Sequence, residues 1–378
     1  MPDVALSPVP KNRLTFVDVA KGIGILCVVA LHSSNRSSRA FSTHGDAEWW
    51  TLFVINRLMA FAVPMFLSIS AFLWARSQAR KATDSEGTWK RFVAILHPYL
   101  VWSLIFLILR VTLERTPGED LSKVLGPADL AISLVWGKAA FHLYFMSVLL
   151  QAALVFPLMM WPARRVSFTS ICLIGFLIQA LVFFVNSKVQ YRHVEFAGML
   201  PFPGSSVLWY LSSLLPATWL GLRWPVSRPR LKQLLGASSL IAFLGGAPFL
   251  WLQVQDAKLI PTSGTLENWS QQVFVFGAGL AVISLLAIGA ENGERWLAWL
   301  GAASLQFYLL HPIVMRLTGG PRVVGVLSKL PAAPLFSYLV TLIGTLVIVL
   351  ILNRLGVEKW LFGRASPPFP ARKSGQEA

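Results

Sequence analysis

Charge is what this sequence has least of. Asp, Glu, Lys and Arg supply 13% of its 378 residues while 55% are hydrophobic, whereas soluble domains devote about a quarter of their residues to charge. That shortage excludes a water-soluble enzyme and, with a mean hydropathy of +0.61, leaves a polytopic membrane protein with the lipid bilayer as its first partner. Acidic residues are the scarcer kind, 17 against 33 basic ones, for a formal net charge of +16. In a soluble chain that excess would suggest nucleic acid. Here Lys and Arg lie in the short segments between apolar runs, where they act as a topology signal, and no nucleic-acid partner is expected. Cysteine is nearly missing. Cys27 and Cys172 fall in different apolar runs, so neither a disulfide framework nor a thiolate metal site can be built from them, and no metal is expected. A short apolar core followed by a small-residue cleavage site is also lacking near the start, so the first apolar run is expected to be retained rather than removed as a leader.

What is present is a series of apolar runs near the 20 residues needed to cross a bilayer. Ten are placed at 14–33, 52–75, 92–113, 143–161, 167–186, 206–224, 231–254, 273–290, 297–317 and 335–355. The expected fold is therefore all-α, a polytopic membrane helix bundle of about ten transmembrane helices. It occupies residues 14–356, between a 1–13 tail and a 357–378 tail. Residues 128–141 are apolar but too short to cross, and read as a loop helix or a re-entrant piece. Five basic residues, Arg76, Arg80, Lys81, Lys90 and Arg91, lie between the second and third runs, whereas 255–270 holds only Lys258 beside Asp256 and Glu267. An even number of spans then places both termini in the cytoplasm. No internal repeat is visible, so any chemistry must happen inside the bundle.

The first run, Leu14 to Ser33, carries Asp18, Lys21 and His32, and ionisable groups inside a membrane helix are costly enough to be a functional signal. At about 100° and 1.5 Å per residue, Lys21 and His32 fall about 20° apart around the axis and about 16 Å apart along it. One stripe is thus polar at two depths. Asp18 and Lys21, three residues apart, are also placed to neutralise each other. With Arg13 just outside, they make a cationic entrance suited to an anionic ligand. His32, at the opposite end, carries an imidazole, a group that can serve as a neutral base at physiological pH.

The segment R-L-T-F-V-D-V-A-K-G-I-G-I-L-C-V-V-A-L-H, Arg13 to His32, resembles the opening of the acyltransferase-3 family of membrane O-acyltransferases, in which a basic residue and a histidine are separated by ten positions. Three stretches follow in family order: V-P-M-F-L-S-I-S-A-F-L-W (Val63 to Trp74), R-F-V-A-I-L-H-P-Y-L-V-W (Arg91 to Trp102) and G-A-A-S-L-Q-F-Y-L-L-H-P-I-V (Gly301 to Val314). His142 to Phe145 (H-L-Y-F) is a weaker echo of H-L-W-F. Lys21 stands where many members have Arg, Ala71 replaces a usual Gly, and Tyr144 a Trp. The D-x-A-K-G form is similar to the fucose 4-O-acetylase-like branch, and an exopolysaccharide unit is the preferred acceptor.

The resemblance implies an enzyme of a bacterial inner membrane that takes an acyl group, most often acetyl from cytosolic acetyl-CoA, to a hydroxyl of an extracytoplasmic or lipid-linked bacterial saccharide. No permanently bound cofactor is implied. Lys21, Arg13 and Arg91 would meet the CoA phosphates. His32 would deprotonate the acceptor or carry the acyl group transiently, with Asp18 grouped beside it as catalytic. His311, His142 and Arg57 are candidates for acceptor binding, although His311 also suits a helix contact and Arg57 could snorkel to headgroups. His97, before a proline, is expected to be structural, and Tyr144 and Trp102 to be belt or packing aromatics. The rivals are a secondary transporter or flippase for a lipid-linked sugar, for which Gly245, Gly246 and Pro248 supply a helix interruption, and a structural subunit of an envelope complex.

Overall fold

The computed structural model describes residues 14–79, 85–114, 121–192, 203–289 and 295–364. The helices are α1 (Thr15–Phe41), α2 (Ala47–Leu58), α3 (Ala62–Ala79), α4 (Ser85–Leu109), α5 (Leu121–Val124), α6 (Pro127–Trp136), α7 (Tyr144–Arg165) and α8 (Phe168–Arg192). They continue with α9 (Leu211–Leu222), α10 (Arg228–Ala257), α11 (Gly264–Gly289), α12 (Arg295–Ala302), α13 (Ser304–Leu317), α14 (Pro321–Leu327), α15 (Ala333–Arg354) and α16 (Glu358–Phe362). No strand occurs among the described residues. Apolar runs that cannot hydrogen-bond to lipid must satisfy their own backbone, which a helix does residue by residue.

Eight helical stretches are long and apolar enough to cross a membrane, or nine if α12 and α13, bent by 76° at their junction, form one span. All ten sequence-predicted runs are helical, but two are not simple rods. The ninth is the bent pair. The sixth is a short 3-10 turn (Val207–Tyr210) followed by the twelve-residue α9, in which every residue but Trp219 and Leu222 is buried. A helix enclosed by protein on all sides does not need bilayer length. Residues 127–136 form the short α6, as expected of a segment too short to cross. The first helix runs on to Phe41, well past Ser33. Its polar last turns are held by Ser34 Oγ donating to the Leu31 carbonyl and by the Arg36 guanidinium.

Lipid-facing and bundle-facing surfaces separate cleanly on α15. Leu339, Ile343, Val347 and Ile351 recur every four residues and are exposed. Ser337, Thr341 and Thr345 are buried, and the two threonine hydroxyls bond back to the Ser337 and Thr341 carbonyls. Small and hydroxyl residues inward with large aliphatics outward is the membrane inversion of a soluble helix. The tightest inter-helix approach follows the same logic. Gly22 of α1 and Gly301 of α12 face each other's helices so closely that a β-carbon on Gly301 would fall 1.7 Å from the Asp18 carbonyl oxygen. This packing sets α12 against the part of α1 that bears Lys21.

Beyond α15 the chain stays with the bundle. The 2%-exposed Phe362 of α16 stacks on Trp102 at 5.5 Å, and Trp102 Nε1 donates to the Leu361 carbonyl at 2.9 Å.

Candidate functional site

One continuous helix presents both ends of the polar stripe. Lys21 Nζ lies 2.8 Å from Asp18 Oδ1, and Asp18 is buried. Asp18 and His32 are separated by fourteen residues of unbroken helix, about 21 Å of rise. A shared catalytic role for Asp18 and His32 does not fit that distance. The carboxylate instead fixes the Lys21 ammonium.

His32 does not stand alone. Its ring stacks on His311 of α13, with centroids 5.5 Å apart and planes at 21°, and it meets Phe141 edge-on at 4.8 Å. His142 packs edge-to-face on His311 at 5.8 Å and on Tyr308 at 5.2 Å, while the Tyr308 hydroxyl donates to the His142 carbonyl. Both His142 and His311 are buried. His311 Nδ1 lies 3.0 Å from the Phe307 carbonyl, which can only accept. That contact puts the proton on Nδ1 and leaves Nε2, which has no protein partner, as a lone-pair acceptor. Arg36, one helical turn beyond His32, donates to the Met315 carbonyl at 2.5 Å and to Thr318 Oγ1 at 3.1 Å. The guanidinium thereby caps the end of α13 and holds the helix bearing His311 against α1. No group of three or more His, Cys, Asp or Glu is placed to hold a metal ion among the described residues.

Two of the cavities along α1 take in its polar stripe. One, of about 590 Å³, has His32, Asn56, Arg57, Lys138, Tyr144, Tyr210 and Gln272 in its wall. The other, of about 310 Å³, contains Lys21 and Arg364 in a wall otherwise rich in apolar side chains such as Phe66, Leu73 and Met146. They share two residues, Val28 of α1 and Val63 of α3. Lys21 therefore opens on one cavity, His32 on the other, and a pair of valines stands between.

The larger cavity is built on irregular backbone. Helix α6 ends at Gly137, whose φ of 67° favours glycine and where a β-carbon would collide with the Tyr144 backbone at 2.5 Å. Its last carbonyls are taken up by Tyr99 (to Leu134, 2.5 Å) and Ser147 (to Val135, 2.5 Å), and the next residue is Lys138. Burial lowers the Lys138 ammonium pKa from its ordinary value. On the facing side, the 3-10 turns Pro203–Ser205 and Val207–Tyr210 are pinned by two glutamines. Gln151 bonds to the Ser205 carbonyl at 2.8 Å and the Val207 amide at 3.0 Å. Gln179 bonds to the Trp209 carbonyl at 2.7 Å and the Ser212 amide at 3.4 Å. Irregular backbone within a membrane bundle survives only when protein groups satisfy it in this way.

Compared with known proteins, residues 14–354 match the family model of the acyltransferase-3 domain, which therefore covers most of the chain. The chain belongs to the acyltransferase-3 family. No match emerges among curated proteins or among solved structures.

In this membrane acyltransferase the structure brings some sequence-predicted residues together and separates others. His32 and Arg57 share the larger cavity, and Lys21 lies in the smaller one. His311 and His142, expected to contact the acceptor, are absent from the cavity wall and stand behind His32, because α13 and the turn before α7 pack their rings into the core. Arg91 is not in the Lys21 cavity. Its guanidinium bonds to Ser77 at 2.9 Å, tying α4 to the end of α3. Arg13 lies outside the described residues. His97 is exposed, whereas Trp102 packs against α16. Tyr144, by contrast, lies in the wall beside Arg57 and Lys138. Sequence reasoning missed Lys138 and Gln272 in one cavity and Arg364 in the other. A lysine immediately after a helix too short to cross was the available signal for the first.

Proposed function

We propose that this acyltransferase moves an acetyl group from cytosolic acetyl-CoA to a hydroxyl of an extracytoplasmic or lipid-linked saccharide, such as an exopolysaccharide unit. The observation that supports this is the pair of cavities meeting at Val28 and Val63, with a cation at the far end of one and His32 in the other. CoA is extended, with phosphates at one end and the thioester at the other. Lys21, held by Asp18, and Arg364 meet the phosphates, and the pantetheine arm runs along the apolar wall to the valines. The acceptor hydroxyl oxygen attacks the thioester carbonyl from the His32 side. The new C–O bond forms, the C–S bond breaks, and His32 takes the hydroxyl proton and returns it to the departing thiolate, giving the O-acetyl ester and free CoA. His311 supports this by packing, its Nδ1 proton bound to the Phe307 carbonyl.

The test is acetyl transfer by purified protein in nanodiscs, read by mass spectrometry of envelope saccharides. His32→Ala is expected to abolish transfer while acetyl-CoA still binds, and Lys21→Ala to weaken acetyl-CoA binding more than Lys21→Arg does. Full transfer by a folded His32→Ala protein would remove the mechanism. Direction is tested by cysteines at Ser85 and Ser263: an impermeant reagent applied to intact cells is expected to label only the second. The sharp bend between α12 and α13 also suits a sugar flippase, since transporters build sites on broken helices. A flippase would move glycan in the absence of acetyl-CoA.

A further inference from the structure

We infer that Gln272 and Ser205 are the residues of the larger cavity that read the acceptor's hydroxyl groups, and that the acceptor they select is an uncharged sugar ring. This rests on the acyl-transfer reading above and deepens it, by naming the side chains that choose the acceptor and the chemical class they choose.

Most polar groups in the wall that holds His32 are already engaged by the protein. Asn56 donates to the Leu31 carbonyl at 2.7 Å and accepts from Arg57 at 2.8 Å. Arg57 also lies over the Phe53 ring at 4.7 Å, and Asp256 and Glu267 offset its charge. Lys138 has a partner of its own within the protein. The Tyr210 hydroxyl donates to the Gly204 carbonyl at 2.9 Å and also bonds to the Tyr144 side chain.

Gln272 and Ser205 differ. Both side chains are buried, yet neither the Gln272 carbonyl oxygen nor the Ser205 hydroxyl has a hydrogen-bond partner. They reach the cavity from separate elements, Gln272 from α11 and Ser205 from the Pro203–Ser205 turn. Gln151 holds that turn by donating to the Ser205 carbonyl at 2.8 Å and accepting from the Val207 amide at 3.0 Å. The Ser205 carbonyl is therefore satisfied while its hydroxyl is left open. Buried polar groups in this condition are costly unless a ligand completes them.

The chemistry of the open groups names that ligand. A carboxamide oxygen accepts and cannot donate, so its missing partner must bring an O–H or N–H, which an ionised carboxylate does not have. A cationic donor would meet Arg57 and Lys138 in the same wall. A neutral hydroxyl fits, and the Ser205 hydroxyl can donate to or accept from a second one. Sugar rings carry several hydroxyls on one small frame, so one can meet His32 while others meet Gln272 and Ser205. A charge on the ring adds nothing that these two residues can use, and beside cations that the protein has already matched its burial would go uncompensated.

The experiment is ligand-observed NMR on the full-length protein in nanodiscs, without acetyl-CoA. The probes are the methyl glycosides of glucose, galactose and mannose, their monodeoxy analogues, and methyl glucuronide. Wild-type protein is expected to bind at least one neutral glycoside about tenfold or more tightly than one of its deoxy analogues, the scale of a lost hydrogen bond to a buried partner. The glucuronide is expected to bind no more tightly than the neutral parent. Gln272→Met and Ser205→Ala are each expected to abolish the discrimination at the hydroxyl that the residue reads. The thermal unfolding temperature is expected to stay level or rise, because neither substitution breaks a hydrogen bond within the protein. A role in packing alone would show the opposite, a lowered unfolding temperature with discrimination intact, and would overturn the assignment. So would tighter binding of the glucuronide, equal affinities for parent and deoxy sugars, or no binding of any neutral glycoside. Acetyl-CoA binding to the wild-type protein is measured separately. Its absence would count against the acyl-transfer reading alone and leave the sugar result to stand.

Discussion

Gly301 and the Asp18 carbonyl are packed so closely that a methyl group on the glycine would stand 1.7 Å from the oxygen. Neither residue touches His32, yet their contact fixes the helix face from which Lys21 projects. Gly301→Ala is expected to destabilise the protein by about 1–3 kcal/mol, the usual cost of overpacking, and to weaken acetyl-CoA binding before it affects His32. Thermal unfolding and acetyl-CoA titration in detergent check both; an unchanged affinity in a destabilised protein would show that α12 does not govern the Lys21 end.

Arg36 is expected to act through the two histidines it holds together. Arg36→Met removes the bonds to the Met315 carbonyl and Thr318 hydroxyl, charge-assisted contacts worth about 1.5–3 kcal/mol. A fall in kcat with little change in KM for acetyl-CoA is the expected signature, with partial recovery in Arg36→Lys. Should KM for the donor rise instead, the residue serves the other end of the site.

Gln179 is fully buried between α8 and the 203–210 stretch. Gln179→Leu keeps much of the side-chain volume and strands the Trp209 carbonyl and the Ser212 amide, at a cost of about 1–3 kcal/mol each. Loss of stability, with acceptor use impaired more than donor binding, would be seen by comparing transfer rates with acetyl-CoA affinity. Equal loss of both would mean that the segment supports the whole bundle.

Val28 and Val63 are expected to set the size of the transferred group. Val28→Ala and Val63→Ala each remove two methyl groups from the constriction, so propionyl-CoA and butyryl-CoA should gain relative to acetyl-CoA, on the scale of roughly 1–3 kcal/mol per methylene accommodated. Competition assays with mixed acyl donors report the ratio directly. Unaltered donor preference in both variants would show that the acyl group passes elsewhere.

Much of the architecture could be read from the chain because apolar runs of bilayer length and the 3.6-residue helical period carry it. The Lys21–His32 stripe is a property of one helix, and α1 realises it. The bend between α12 and α13 could not be read, since hydropathy is blind to direction and the run 297–317 is apolar throughout. The extension of α1 to Phe41 was hidden for a different reason. Ser33, Ser34 and Arg36 look like a loop until Arg36 finds the end of α13, 279 residues away in sequence for its Met315 contact. Distance in sequence also concealed the packing of His311 and His142 behind His32, and the presence of Arg364 beside Lys21. Asp18 pairs with Lys21 at 2.8 Å, a contact that its i, i+3 spacing already pointed to.

The shared Val28–Val63 wall has an electrical consequence. With the two cavities opening on opposite sides of the membrane, as proposed, the voltage would fall mainly across whatever apolar matter remains between them. A charge forced across that layer would exchange energy with the membrane potential at about 2.3 kcal/mol per 100 mV. In the proposed reaction the acetyl group passes the valines in one direction and the hydroxyl proton in the other, an exchange that moves no net charge, while the phosphates stay beside Lys21. Transfer through this septum is therefore electroneutral, and its rate should be indifferent to whether the membrane is energised.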